Sequence, residues 1–174
     1  MKSIVLTGYM GAGKSSVAFA LSRECALPFL DTDARIEALC GQSISDIFKE
    51  YGEPYFRDRE TQLLKSLCEE GYKGVLSTGG GMPLKEENRE LMKKIGVVFY
   101  LKAKPSTIAL RLSHDDSRPL LSGAKDAKEK EMRIAQMLSL RESAYEDAAD
   151  QVINTDDLSV GEIMDIVIKK AKES

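Results

Sequence analysis

A glycine-rich segment near the amino terminus has the residue types and spacing of a phosphate-binding loop. Residues 8–15 read Gly-Tyr-Met-Gly-Ala-Gly-Lys-Ser and match GxxxxGK[ST] at every fixed position. In such a loop the glycine backbone and the following helix N-terminus bind phosphate, the lysine reaches the β- and γ-phosphates, and the serine hydroxyl ligates Mg²⁺. The residues expected to bind a nucleoside triphosphate are Gly11, Ala12, Gly13, Lys14, Ser15 and Ser16.

This loop alone does not separate a kinase from a GTPase, a motor or a regulatory switch. The chain contains no Asn-Lys-x-Asp guanine signature, and at 174 residues it is too short for a motor with appended modules. These points favour a small kinase that transfers the γ-phosphoryl group of a nucleotide to a metabolite, with Mg²⁺ as the cofactor. A nucleotide-dependent regulatory switch remains the alternative from a different class.

Two carboxylates at the end of the second predicted strand are candidates for the acceptor side of the reaction. Asp31 and Asp33 alternate along an extended segment, so their side chains point the same way. Asp31 is expected to hold Mg²⁺ through water, and Asp33 to accept a hydroxyl proton or fix the acceptor. The simpler alternative is a helix cap or a solvated turn.

Three arginines are candidates for binding anionic groups. Arg57 lies three residues before Glu60 on a predicted helix and can pair with it, although such pairs are also common on surfaces. Arg118 lies in a polar, aperiodic segment and is a candidate arginine finger supplied in cis. Arg141, on the next helix, is either a second carboxylate clamp or a solvated residue.

Three consecutive glycines, Gly79, Gly80 and Gly81, end the third predicted strand. Three glycines in a row carry a high conformational entropy cost. They indicate either a flexible turn or a close approach of the backbone to a ligand. Both interpretations stay open on the sequence alone.

Short apolar runs alternate with longer amphipathic stretches, a pattern that predicts a three-layer α/β/α domain around a parallel sheet. The predicted strands cover residues 3–7, 28–31, 74–78, 97–101 and 151–154. We expect one domain over residues 1–174, with a substrate-binding helical insert at about 32–70 and a lid at about 113–127. Within it, Ser45 is predicted to cap a short helix, another helix is predicted through Met132, Ala135, Leu138 and Tyr145, and Ser159 with Glu162 is predicted to form a capping box.

The composition argues against several other classes. The net charge is −3 with no basic arm, so nucleic-acid binding is not expected. No apolar run approaches the length of a membrane span and no signal segment precedes the first strand, so we expect neither a membrane partner nor secretion. With His114 as the single histidine, and with Cys25, Cys40 and Cys68 far apart in sequence, a zinc site is not expected, and reduced thiols favour a cytoplasmic location.

Taken together and in order, these motifs resemble those of the shikimate kinase family over essentially the whole chain. The matching segments are 8–15, Asp31-x-Asp33, Phe56-Arg57-x-x-Glu60, Gly79-Gly80-Gly81, Arg118-Pro-Leu-Leu121 and Arg141-x-x-x-Tyr145. The resemblance implies a fold like that of nucleoside monophosphate kinases, with five parallel strands in the order 2-3-1-4-5. It also implies transfer of the γ-phosphoryl of ATP to the 3-hydroxyl of shikimate, a step toward chorismate and the aromatic amino acids.

The resemblance also implies a role for each matching residue. On the nucleotide side, Lys14 and Arg118 would contact phosphates, Ser15 would bind Mg²⁺ with Asp31 in its outer shell, and Arg111 would lie over adenine. On the acceptor side, Asp33 would hold the reactive hydroxyl and act as base, Arg57 and Arg141 would grip the carboxylate, the Gly79–Gly81 backbone would contact substrate, and Glu60 would orient Arg57. ATP and shikimate are then the expected partners of a monomer, and a gluconate- or nucleotide-type kinase is the nearest alternative.

Overall fold

The computed structural model describes residues 2–113 and 126–173, and in these ranges the chain forms one parallel sheet. Its strands are β1 (Ser3–Thr7), β2 (Phe29–Asp31), β3 (Val75–Ser77), β4 (Gly96–Lys102) and β5 (Gln151–Asn154). Their spatial order is β2-β3-β1-β4-β5, and every neighbouring pair is parallel. The predicted architecture and strand order are therefore confirmed.

Helices connect the strands and cover both faces of the sheet. They are α1 (Lys14–Cys25), α2 (Thr32–Cys40), α3 (Ile44–Glu69), α4 (Glu86–Ile95), α5 (Pro105–Arg111), α6 (Ala127–Ala148) and α7 (Val160–Glu173), with one 3₁₀ turn at Met82–Leu84. No helix in the described ranges is both long enough and apolar enough to cross a membrane.

Alternate residues of the central strand β1 point to opposite faces of the sheet and so belong to two different cores. Ile4 and Leu6 pack with residues of α1 and α7, whereas Val5 packs with residues of α3 and α4. All three side chains are fully buried. A third core, at the end of the sheet where β1 stops, contains Tyr9 and Tyr145.

The helical segment between β2 and β3 differs in detail from the prediction. Ser43, not Ser45, caps α3, and its hydroxyl accepts a hydrogen bond from the Asp46 backbone N–H at 3.1 Å. Ser45 therefore lies inside the first turn, so the predicted cap is two residues too late. The helix breaks at Gly52, where φ is 82°, a value that favours glycine.

Two predictions on the last helices are confirmed. The predicted helix through Met132 and Tyr145 is α6, in which Met132 is 55% exposed and Ile134 is buried. The capping box of α7 is confirmed. The Ser159 backbone N–H donates to Glu162 Oε2 at 2.8 Å, and the Glu162 N–H donates to Ser159 Oγ at 3.3 Å.

Candidate active site

The sequence-predicted residues meet in one cleft at the carboxyl ends of β1, β2 and β3, where ligands bind in open parallel sheets. The cleft has a volume of about 850 Å³. It is lined by every candidate site residue in the described ranges: Gly11, Ala12, Gly13, Lys14, Ser15, Ser16, Asp31, Asp33, Arg57, Gly79, Gly80, Gly81, Arg111 and Arg141. Arg118, the remaining candidate, lies outside the described residues.

The phosphate-binding loop runs from the end of β1 into α1. Gly11 and Gly13 have φ values of 76° and 95°, in the left-handed region that glycine adopts without steric cost. Lys14 is only 9% exposed, and its Nζ donates to the Gly8 carbonyl at 2.8 Å and the Tyr9 carbonyl at 3.0 Å. The loop thus holds a buried ammonium group at the amino end of a helix, an arrangement that suits a polyphosphate.

Ser15 and Asp31 form a pair of oxygen donors beside the loop. Ser15 Oγ donates to Asp31 Oδ2 at 3.0 Å and lies 3.3 Å from Ser77 Oγ. Asp31 Oδ1 also accepts hydrogen bonds from the Asp33 and Ala34 N–H groups, so Asp31 caps α2. The cap and the metal-facing interpretations are compatible because the two functions use different oxygens. Hydroxyl and carboxylate oxygens fit Mg²⁺, which takes its other ligands from water and phosphate.

Asp33 is a carboxylate held largely away from water. Its Oδ1 atom is buried and has no hydrogen-bond partner among the described residues. Burial raises the pKa of Asp33, and the Asp31 charge raises it further, while Lys14 and Arg57 oppose the shift. A carboxylate with a raised pKa is a better proton acceptor than an ordinary aspartate.

Arg57 is held by two carboxylates. Its Nη1 donates to Glu60 Oε2 at 2.7 Å and its Nη2 to Glu53 Oε1 at 3.0 Å. Burial lowers the pKa of Arg57, but the two carboxylates outweigh it and the net shift is upward. The Arg57 side chain is only 20% exposed and that of Glu60 is fully buried, so the surface-pair alternative is wrong.

The burial of Glu60 was not predicted from the sequence, although a signal for it exists. Glu60 lies one helical turn after Phe56 and one turn before Leu64, both of which are buried. A single acidic residue on an apolar helix face is a candidate for a buried, paired charge. Burial raises the pKa of Glu60 to about 7 despite the opposing effect of Arg57.

The glycine triplet leaves room for side chains from other elements. None of its residues has a positive φ, so conformation does not require glycine there. A Cβ on Gly79 would lie 2.5 Å from Asp33 Oδ1 and 3.0 Å from Glu60 Oε1, and a Cβ on Gly81 would overlap the Arg57 guanidinium. Close approach, rather than flexibility, therefore explains two of the three glycines, and the groups that approach are site side chains.

Arg111 and Arg141 flank the cleft from the side of β4 and β5. The Arg111 guanidinium donates to the Ala12 carbonyl at 3.3 Å and the Thr155 carbonyl at 2.7 Å, which ties the phosphate-binding loop to the segment after β5. Arg141 lines the cleft from α6, close to Tyr145. Thr155 is fully buried, and its carbonyl oxygen supports Arg111 at the edge of the cleft.

Comparisons with known proteins agree with one another. The family model described as shikimate kinase matches residues 10–172. A shikimate kinase of Bacillus cereus (strain AH187) is 43% identical over 99% of this chain and 100% of its own length. Two solved structures at 34% identity are similar: shikimate kinase from Acinetobacter baumannii in complex with shikimate (TM-score 0.84, 99% of this chain and 92% of that one) and shikimate kinase from Bacteroides thetaiotaomicron (TM-score 0.86, 99% and 97%).

Proposed function

The chain belongs to the shikimate kinase family, and we propose that its cleft transfers the γ-phosphoryl group of ATP to the 3-hydroxyl of shikimate. The products are shikimate 3-phosphate and ADP, on the route to chorismate and the aromatic amino acids. The observation that carries the proposal is one cleft that holds a phosphate-binding lysine, Lys14, a half-buried carboxylate, Asp33, and a paired guanidinium, Arg57.

The nucleotide half of the cleft binds and neutralises phosphate. Lys14 and the backbone N–H groups of the loop hold the β- and γ-phosphates. Ser15, with Asp31 acting through water, would hold Mg²⁺ against the same phosphates, and the bound ion supplies charge neutralisation there. Arg111 lies over the adenine. Arg118, in the lid that we expect at 113–127, contacts the phosphates as well.

The acceptor half orients shikimate for in-line attack. Arg57 and Arg141 grip the planar carboxylate, for which a guanidinium offers two parallel hydrogen bonds. The Gly79–Gly81 backbone contacts the ring substituents. Asp33 accepts the proton of the 3-hydroxyl as its oxygen bonds to the γ-phosphorus, and the bond from phosphorus to the ADP oxygen breaks. Glu60 keeps Arg57 in place.

We also propose a single domain that acts as a cytoplasmic monomer, with residues 32–70 forming the acceptor-binding insert. ATP and shikimate are its partners, and neither nucleic acid nor a membrane has a role in this proposal.

A coupled ADP-release assay tests the function. We expect acceptor-dependent ADP release with shikimate and little with gluconate or nucleoside monophosphates. Asp33→Asn and Arg57→Ala should abolish turnover while ATP binding, followed with a fluorescent nucleotide, is kept. Arg59→Ala is the matched control, because its guanidinium lies over Tyr55, 4.7 Å from the ring centroid. Normal turnover in the Asp33 and Arg57 variants would refute the site assignment. ADP release that does not depend on any acceptor would favour the alternative function, a nucleotide-dependent regulatory switch.

A further inference from the structure

The Tyr145 hydroxyl joins two parts of the acceptor site. Tyr145 is fully buried on α6, and its hydroxyl donates to the Gly80 carbonyl oxygen at 2.6 Å, at the short end of the range for such bonds. Its ring stacks on that of Tyr100, with the centroids 5.1 Å apart. The stacked pair of rings therefore restrains the position of the Tyr145 hydroxyl.

The same hydroxyl also lies beside Arg141. The two residues are four apart on α6, so their side chains are neighbours on one helix face. The Arg141 charge and a hydrogen bond from it lower the pKa of Tyr145, although burial prevails and raises that pKa to about 12. A phenol has one proton, and Tyr145 gives it to Gly80, so the oxygen lone pairs are left to accept from Arg141.

The bond to Gly80 also orients the next peptide N–H. A trans peptide is planar and its C=O and N–H groups point in opposite directions. Because the Gly80 carbonyl is turned toward Tyr145, the Gly81 N–H points away from Tyr145, and both glycines line the cleft. One hydroxyl thus binds the carbonyl of the glycine turn and lies on the helix face that carries Arg141.

We propose that Tyr145 is a positioning residue that fixes the Arg141 guanidinium and the Gly80–Gly81 peptide in the geometry that binds the acceptor's carboxylate. The inference rests on the proposed function and adds the residue that aligns two donors with one anion. Without the hydroxyl, the part-buried Gly80 carbonyl loses this partner and the peptide is less restrained, while Arg141 loses a neighbouring acceptor.

The test compares Tyr145→Phe with Tyr100→Phe. Both variants lose one hydroxyl from the same stacked pair, but the Tyr100 hydroxyl is not bonded to the glycine turn. For Tyr145→Phe we expect the KM for shikimate to rise about tenfold, the size of one lost hydrogen bond to a charged group, with the KM for ATP within about twofold of wild type. Tyr100→Phe should keep both KM values.

A second readout separates positioning from general loss of structure. The methyl ester of shikimate keeps the ring hydroxyls but has no carboxylate anion. The wild-type preference for the acid over the ester, as a ratio of kcat/KM, should fall about tenfold in Tyr145→Phe and persist in Tyr100→Phe. A Tyr145→Phe enzyme with the wild-type ratio would overturn the inference, even if its stability or total activity is lower.

The failure of the proposed function would look different. A wild-type enzyme that does not phosphorylate shikimate at all refutes the function before any variant is compared, and the inference falls with it. A wild-type enzyme that is active on shikimate, with Tyr145→Phe and Tyr100→Phe indistinguishable in KM and in acid preference, refutes only the role of Tyr145.

Discussion

The Oδ1 atom of Asp33 lies 2.5 Å from the point where a side chain on Gly79 would begin. Real Cβ atoms do not approach an oxygen so closely, so a larger residue at 79 would displace the carboxylate. The backbone of Gly79 is itself fixed, because its N–H donates to the Thr32 hydroxyl at 2.8 Å. The glycine is therefore part of what places the proposed base.

Gly79→Ala tests this relationship. The added methyl group should push Asp33 aside, and a misplacement of about 1 Å at a reacting group costs about 100-fold in rate. We expect kcat/KM for shikimate to fall by about that factor while nucleotide binding is unchanged. Gly161→Ala is the control, since its added Cβ would meet only Ser159 Oγ, at 4.0 Å. Wild-type kinetics in Gly79→Ala would show that Asp33 tolerates displacement.

The elements of the sheet were predictable because their signals are local. β1 and β5 have the predicted bounds, Ser3–Thr7 and Gln151–Asn154, since short apolar runs between polar residues define them. The phosphate-binding loop was predictable for the same reason: its chemistry is contained in eight consecutive residues. The cap of α3 was not, because Ser43 and Ser45 are equally suitable cap residues and only the backbone geometry selects one.

The acceptor side depended on contacts between residues far apart in sequence. The sequence alone did not decide the role of the glycine triplet, which could be a flexible turn, or of the Arg57–Glu60 pair, which could be a surface ion pair. The structure decides both by packing Glu60 and Asp33 against Gly79, and no periodicity encodes that contact. The link from Tyr145 to Gly80 is of the same kind: the sequence supplies the residues, but only the tertiary fold brings the hydroxyl to the carbonyl.

Asp31→Asn should separate the two functions of Asp31. Asparagine caps helices about as well as aspartate, so we expect the free energy of unfolding to change by less than about 0.5 kcal/mol. Loss of the charge beside Ser15 should raise the Mg²⁺ concentration for half-maximal activity about tenfold, as when outer-shell partners of metals are removed. Urea unfolding and Mg²⁺ titration of the activity measure the two effects. If the Mg²⁺ concentration for half-maximal activity is unchanged, Asp31 serves only as the cap of α2.

Arg111→Ala should weaken nucleotide binding specifically. Hydrogen bonds to the Ala12 and Thr155 carbonyls hold the Arg111 guanidinium in place, so the variant loses a fixed cationic group that would stack on adenine. We expect the KM for ATP to rise about tenfold and the KM for shikimate to change by less than about twofold. Arg23→Ala provides the comparison, because Arg23 lies over Phe19 on α1, 6.0 Å from the ring centroid. Equal effects on both substrates would contradict a nucleotide-side role.

Glu60→Gln should change how stability depends on pH. Burial raises the pKa of Glu60 from 4.5 to about 7 in the folded protein, so between these values the folded state binds more protons than the unfolded one. Wild-type stability therefore falls as pH rises through this window, by about 3 kcal/mol in all from this group. Glutamine does not ionise and can still accept a hydrogen bond from Arg57, so the variant lacks that fall.

Urea unfolding at pH 5 and pH 8 measures the difference. The unfolding free energy of Glu60→Gln relative to wild type should increase between the two pH values. Glu87→Gln is the control and should show little change relative to wild type between pH 5 and pH 8, because a hydrogen bond from Lys65 lowers the pKa of Glu87 below its usual value and its titration therefore lies below this window. Parallel pH profiles for Glu60→Gln and wild type would mean that the Arg57 guanidinium, 2.7 Å away, fully offsets burial and keeps Glu60 ionised at neutral and weakly acidic pH.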